Sequence, residues 1–375
     1  MRIGIDYTAA ARQRAGIGRY TRELIGALLA LPEDHQYTIF AAVGGLGDKN
    51  WRPVAEASRV RFRTLPLSDD WLARLWHRLR LPIPVETITG PLDLFYSPDF
   101  VLPPTRRGTR TILTVHDLSF LRYPEHFVPK LVRYLNDVVP RSVVRADLVL
   151  ADSEATRADL IARLGTSPEK VNVLYSGVDS SLGPQARPGE TEHLRARYDL
   201  DERPYILSVG TLQPRKNYVR LIRAFADLQA CNLQLAIAGG RGWLYQDILA
   251  AAEKNSNCVR LLGFVDEADL PALYRGARLF AFPSLYEGFG LPVLEAMACG
   301  LPVVCSNASS LPEVAGDAAL LVDPRDDAGW SEAMACLMEN PNRRRKMAAR
   351  GIEQAARFTW KQSARQLLAA WNSLS

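Results

Sequence analysis

The sequence has 375 residues, 47% hydrophobic and 23% charged. That is the composition of a soluble globular protein, and the chain is too long for one ordinary core, so two domains are expected. The formal charge of +5, carried mainly by the first half, suits an anionic substrate or an acidic membrane surface and falls far short of the dense basic stripe of a nucleic-acid binder. The five cysteines, Cys231, Cys258, Cys299, Cys305 and Cys336, lack metal-ligand spacing and read as reduced core thiols. No stretch reaches the roughly 18 apolar residues of a membrane span, and the N-terminal MRIGIDYTAA opens as a strand, not as a signal peptide. A cytoplasmic protein is expected, either free or peripheral to the inner face of a membrane.

Short β-branched or apolar runs alternate with longer amphipathic ones, the pattern of α/β units with parallel sheets. In the first half the candidate strands are RIGID (2–6), YTIFAAV (37–43), VRFRTL (60–65), LFYS (94–97), RTILTVHD (110–117), DLVLAD (147–152) and VNVLYSG (171–177). Helical spacing is clear over 18–31, where Tyr20, Leu24, Ala27, Leu28 and Leu31 share a face, and again over about 130–145. SSLGPQARPGETEH (180–193), rich in Gly, Pro and polar residues, reads as an interdomain linker. A second series follows: YILSVGT (205–211), LQLAIAGG (233–240), VRLLGFV (259–265), ARLFAFPS (277–284), PVVCS (302–306) and ALLVD (319–323), with helices between and a helical last third. Two doubly wound units in tandem are expected, over 1–185 and 200–358. Ligands of such sheets bind at the carboxyl ends of the strands, which points to a cleft where the two units face each other.

The stretch FPSLYEGFGLPVLEAMACGLPVV (282–304) carries the strongest chemical signal. Glu287 falls in the loop after an apolar strand. Gly288 and Gly290 allow close backbone approach, and Pro292 suits the first position of a helix. The amides of Phe289, Gly290 and Leu291 then crown a helix N-terminus, an anion site, with Glu295 in the helix's first turn or so. Carboxylates accept paired hydrogen bonds from diols while amides donate to phosphate. A sugar nucleotide offers both groups. For an isolated pair of glutamates, a solvated Glu287 and a helix-pairing Glu295 would be the simpler reading.

The company of that pair decides otherwise. E-G-F-G-L-P-V-L-E followed by A-M-A-C-G-L-P-V-V resembles the E-x7-E signature of the retaining glycosyltransferases of family 4, which have the GT-B fold. The likeness runs along almost the whole chain, through G-I-G-R-Y (16–20), V-H-D (115–117), A-D-S-E-A-T-R (151–157), S-G-V-D (176–179), V-G-T-L-Q-P-R-K-N (209–217), G-F-V-D-E-A-D-L-P-A-L-Y (263–274) and F-T-W (358–360). Each alone is weak, while their joint order and spacing are specific. The resemblance implies two Rossmann-like domains, with residues 359–375 crossing back to the first.

The resemblance also implies roles. The loop with Gly16 and Gly18 would reach the donor diphosphate; the third glycine of a dinucleotide fingerprint is replaced by Thr21. Arg215 and Lys216, just past a strand, would clamp that diphosphate and stabilise the leaving group. An arginine is common in the family where Thr211 stands here, so Arg215 would take over its charge. His116 would contact the transferred sugar, donating a hydrogen bond or shuttling a proton; a lone strand-end histidine is otherwise usually structural. Backbone groups at Phe264 and Val265 would meet the base, Glu287 the sugar hydroxyls and Glu295 the ribose. Asp199 and Asp201 formally match a metal-binding D-x-D but sit in the linker region, and no catalytic metal or other cofactor is expected.

The expected activity is transfer of a hexosyl unit, first of all mannose from GDP-mannose, to a hydroxyl of a glycan or lipid-linked acceptor in surface-polysaccharide synthesis. UDP-hexose is the competing donor. A non-catalytic nucleotide-sugar sensor is the rival of another class, and the incomplete glycine fingerprint speaks against a dinucleotide oxidoreductase. Residues 71–80, WLARLWHRLR, fit either a core helix with a basic outer face or an interfacial helix at an anionic membrane.

Overall fold

Each of the short apolar runs forms a strand in the computed structural model, which describes residues 1–13, 16–46, 59–228 and 232–374. Cys231 lies outside the described residues. The chain divides into two units: Met1–Leu118 with Arg133–Gly177 and Thr359–Ser375, and Ser119–Val132 with Val178–Phe358.

In the first unit β1 (Arg2–Asp6), β2 (Gln36–Ala42), β3 (Val60–Leu65), β4 (Leu94–Ser97), β5 (Arg110–Val115), β6 (Leu148–Ala151) and β7 (Val171–Val173) form one parallel sheet in the order β3-β2-β1-β4-β5-β6-β7. The strands LFYS and LVLA are buried at every position, as a parallel sheet covered on both faces requires. Register is set at the centre, where Ile3 lies opposite Tyr37 on one side and Leu94 on the other. The helix Ile17–Leu29 turns Tyr20, Leu24, Ile25, Leu28 and Leu29 inward, the stripe that 3.6-residue spacing creates. The last helix, Trp360–Asn372, belongs to this unit. Thr359 caps it by accepting from the Gln362 amide, Ser363 donates to the Tyr175 carbonyl at 2.6 Å, and Trp371 is fully buried near Tyr37 and Tyr96.

The second unit holds β8 (Tyr205–Val209), β9 (Gln234–Ala238), β10 (Val259–Gly263), β11 (Leu279–Phe282), β12 (Val303–Ser306) and β13 (Ala319–Val322), parallel and ordered β10-β9-β8-β11-β12-β13. Beneath it the helix Tyr218–Asp227 buries Leu221, Ile222 and Phe225 against Trp330, Met334 and Leu337 of the helix Asp327–Glu339. Each sheet therefore reverses its strand order at one place, between β1 and β4 and between β8 and β11. Crevices open at the carboxyl ends of strands at such points.

Two readings of the sequence change. The Gly- and Pro-rich segment taken as a linker through residue 193 ends earlier, because Gly189 adopts a left-handed φ of 73° and a helix spans Glu190–Tyr198. Arg275 grips Glu190 with two bonds of 2.6 and 2.8 Å, which fixes that helix within the second unit. The stretch 71–80 is a short helix, Asp69–Leu72, running into a π-helical turn, Ala73–Arg78. Leu72 and Trp76 are core, whereas Trp71 and Leu79 are 52% and 66% exposed. The wider π turn places residues off the 3.6-residue phase, so the apolar set splits between core and solvent.

Candidate active site

The reversal in the second sheet brings together the loops after β8 and β11. The first leaves β8 through Gly210, whose carbonyl lies so near Gly239 that a Cβ there would approach it to 1.9 Å. The loop then makes a tight turn over Pro214–Lys216 and ends at Asn217 with φ 59°. Asn217 spends its side-chain amide on the carbonyls of Pro283 (3.1 Å) and Pro324 (2.7 Å), and the Leu285 amide donates to the Arg215 carbonyl. These bonds lock the two loops side by side. As a result Lys216 Nζ stands 2.6 Å from Glu287 Oε1 and Arg215 Nη1 stands 3.0 Å from Glu287 Oε2.

All three side chains are buried, at 8%, 9% and 7% exposure for Lys216, Arg215 and Glu287. Burial by itself would raise the Glu287 carboxyl, but Arg215 and Lys216 together hold it down at about 2. Arg215 also donates to the Tyr286 carbonyl, and the Lys216 ammonium lies 4.8 Å over the Phe282 ring. The Glu287 amide donates to Ser309 Oγ, while Ser310 Oγ donates to the carbonyls of Glu287 and Phe289. Two cations share the Glu287 carboxylate in a site shielded from water.

The other residues singled out in the sequence fall around this crest or apart from it. Gly288, Phe289 and Gly290 are buried, and Gly290, with φ 109°, precedes the helix Leu291–Ala298. Glu295 lies in the second turn of that helix, not the first, and accepts a 2.7 Å bond from the Tyr274 hydroxyl at 3% exposure. Thr211 is exposed beside Gly242. After β10, Phe264 is 47% exposed and Val265 is buried. Asp201 is bonded to Arg203 at 2.7 Å and Asp199 ends the preceding helix with φ 52°, so both belong to a local turn.

In the first unit Gly16 takes φ 60° at the start of the helix Ile17–Leu29, while Gly18 is buried where a Cβ would meet the Gln13 carbonyl at 2.2 Å. Close packing of the 8–13 turn on the helix accounts for Gly18. His116 follows β5 and is buried. Its Nδ1 is 2.7 Å from Asp152 Oδ2 and its Nε2 is 3.0 Å from the Pro98 carbonyl. Burial opposes a charge on the ring, yet Asp152, and Asp99 behind it, lift its pKa to about 9. Reading the sequence missed Asp152, although it stands inside A-D-S-E-A-T-R, and missed Asp6 and Asp99 at the ends of β1 and β4. Burial raises Asp6 to about 6 and raises Asp99 as well. Their shared signal is an acidic residue at the end of an apolar strand or within two positions of it.

Residues 14–182 match Glycosyltransferase Family 4 and residues 190–354 match Glycosyl transferases group 1. The chain is 32% identical over 372 residues to O-antigen chain mannosyltransferase B of Escherichia coli, covering 96% of both chains. This protein is a family 4 glycosyltransferase. The enzyme is also 36% identical over 247 residues to a D-inositol 3-phosphate glycosyltransferase of Salinispora tropica, across 60% of this chain and 51% of that one. Its fold is GT-B. The sucrose-phosphate synthase of Thermosynechococcus elongatus superposes with a TM-score of 0.77 at 20% identity, covering 100% of this chain and 99% of that one. WaaG, a glycosyltransferase involved in lipopolysaccharide biosynthesis, gives 0.71 at 15% identity and 98% coverage of both.

Proposed function

We propose that this glycosyltransferase moves a mannosyl unit from GDP-mannose to a hydroxyl of a glycan or lipid-linked acceptor in surface-polysaccharide synthesis, with retention of configuration. The observation that carries the reading is the buried Arg215–Lys216–Glu287 cluster at the strand-order reversal of the second sheet. The full-length likeness to a mannosyltransferase of O-antigen chains supports the choice of sugar and product.

A diphosphate carries the negative charge that Arg215 and Lys216 attract, and guanidinium and ammonium donors match its oxygens. As the sugar C1–O bond breaks, negative charge grows on the departing nucleoside diphosphate, and Arg215 and Lys216 stabilise it in a site of low dielectric. With these two cations present the reaction needs no divalent ion. Glu287, released as the cations turn to phosphate, accepts hydrogen bonds from sugar hydroxyls. Glu295 takes the ribose, and the segment at Phe264 and Val265 takes the base. The enzyme works in the cytoplasm at the inner face of the membrane.

The test is a thermal-shift screen over GDP-mannose, UDP-hexoses and ADP-sugars, followed by hydrolysis assays. We expect GDP-mannose to raise Tm selectively and to be hydrolysed slowly, with at least a hundredfold loss of hydrolysis in Lys216→Ala. Selective binding without turnover would instead identify a sensor, and selective response to a UDP-hexose would replace the donor.

A further inference from the structure

The histidine after β5 is held in a way that decides its chemistry. Its two ring nitrogens both face oxygen atoms, Asp152 Oδ2 at 2.7 Å and the Pro98 carbonyl at 3.0 Å. A carbonyl oxygen only accepts, so Nε2 carries a proton. Burial raises the Asp152 carboxyl, and the charge of the ring and its hydrogen bond oppose that rise; with Asp152 ionised, its oxygen only accepts and Nδ1 carries the second proton. His116 and Asp152 are 8% and 6% exposed, which shields the pair from competing water.

From β6, Asp152 bonds the ring. From the loop after β4 comes Asp99, whose charge favours the cation, and from β4 itself Tyr96, bonded to the Thr114 hydroxyl. The ring of Tyr20, from the helix Ile17–Leu29, lies 4.8 Å away, that of Phe100 lies 5.4 Å away, and Asp117 follows in the chain. The frame around it is also rigid. Thr156 Oγ1 donates to the His116 carbonyl, Ser153 caps the helix Glu154–Leu164, and Ser97 Oγ donates to the carbonyls of Asp99 and Val101.

We infer that Asp152 is a positioning residue that keeps His116 doubly protonated, so that His116 serves the reaction as a fixed cation and not as a proton shuttle. The charge has a second effect within the same crest. Burial raises Asp99, and His116 opposes that rise, so the dyad helps keep Asp99 ionised. That His116 serves a reaction rests on the transferase reading, whereas its charge state stands on its own geometry.

The deciding measurement is nitrogen NMR of the wild-type protein labelled at histidine, with His116→Gln used to assign the ring. Both His116 nitrogens are expected to be protonated from pH 6 to pH 8, with a midpoint near 9. An unprotonated Nδ1 at neutral pH would overturn the inference. In Asp152→Asn the midpoint is expected to drop by two units or more, toward the ordinary 6.5. Sugar-nucleotide hydrolysis is the second readout. Wild type should hold a level kcat/KM from pH 6 to pH 8, Asp152→Asn should lose at least tenfold as pH rises through its new midpoint, and Asp152→Glu should restore the level profile. A loss in Asp152→Asn that is equal at every pH would reduce Asp152 to a structural role and refute the positioning. Should wild type hydrolyse no sugar nucleotide, the transferase reading fails while the NMR result still decides the charge state.

Discussion

At the scale of single residues, Glu287 is tied to its two cations so tightly that stability should follow its ionisation. Its folded pKa of about 2 lies below the ordinary 4.5. The resulting stabilisation, about 3 kcal/mol for a shift of this size, is therefore complete above pH 4.5 and lost as pH falls toward 2. Glu287→Gln leaves Arg215 and Lys216 buried without their counter-ion. Removing one partner of a buried pair costs about 3–5 kcal/mol, so Tm at neutral pH should fall by on the order of 10 °C. The gap to wild type should close as pH drops from 4.5 toward 2, because the wild type then loses the same interaction. Calorimetry across that window checks it, and a gap of constant size would show that the carboxylate's charge is not what matters. The identities of Glu287, Arg215, Lys216 and His116 were legible because each belongs to a segment with a recognisable neighbour pattern. The partners of Glu287 and His116 were not, since Lys216 and Glu287 are 71 positions apart and His116 and Asp152 are 36 apart, and no local pattern couples them.

At the scale of elements, glycines on one helix separate a packing role from a propensity effect. Gly18 and Gly26 both lie in Ile17–Leu29. A Cβ at Gly18 would meet the backbone carbonyls of Gln13 at 2.2 Å and Ala9 at 2.7 Å, while one at Gly26 would meet nothing within 4 Å. Gly26→Ala should therefore stabilise by about 0.5–1 kcal/mol through helix propensity. Gly18→Ala should destabilise by at least 1 kcal/mol, since a backbone atom cannot move aside as a side chain can. Urea titrations of the two variants check this, and equal effects would overturn it. The strands were read nearly to their ends because apolar runs between turn residues are local signals. The helix Glu190–Tyr198 was missed, since its polar sequence carries almost no apolar stripe and its place is held by the contact of Glu190 with Arg275.

At the scale of the whole molecule, residues 71–83 of the first unit include exposed apolar and basic groups, of which Arg80 is paired with Asp137. Trp71, Leu79 and Ile83 are exposed, Arg74 lies 4.9 Å over the Trp71 ring, and Arg78 and Arg80 flank Leu79. No helix among the described residues is long and apolar enough to cross a membrane. This segment suits contact with anionic lipid, where each basic residue contributes about 1 kcal/mol and the aromatic ring settles at the headgroup level. Co-sedimentation with vesicles containing anionic lipid is expected, weakened about tenfold in Trp71→Ser and reduced by salt. Binding that ignores both lipid charge and salt would rule the contact out. By itself the sequence determined the α/β alternation, the two-unit plan and the identity of the crest residues, because those depend on periodicity and on short segments read locally. Only the tertiary structure decided that Arg215 and Lys216 share Glu287, that His116 is bound at both nitrogens, and which face of residues 71–80 meets water. Those facts depend on which distant segments the sheet order brings together and on how much solvent is left between them.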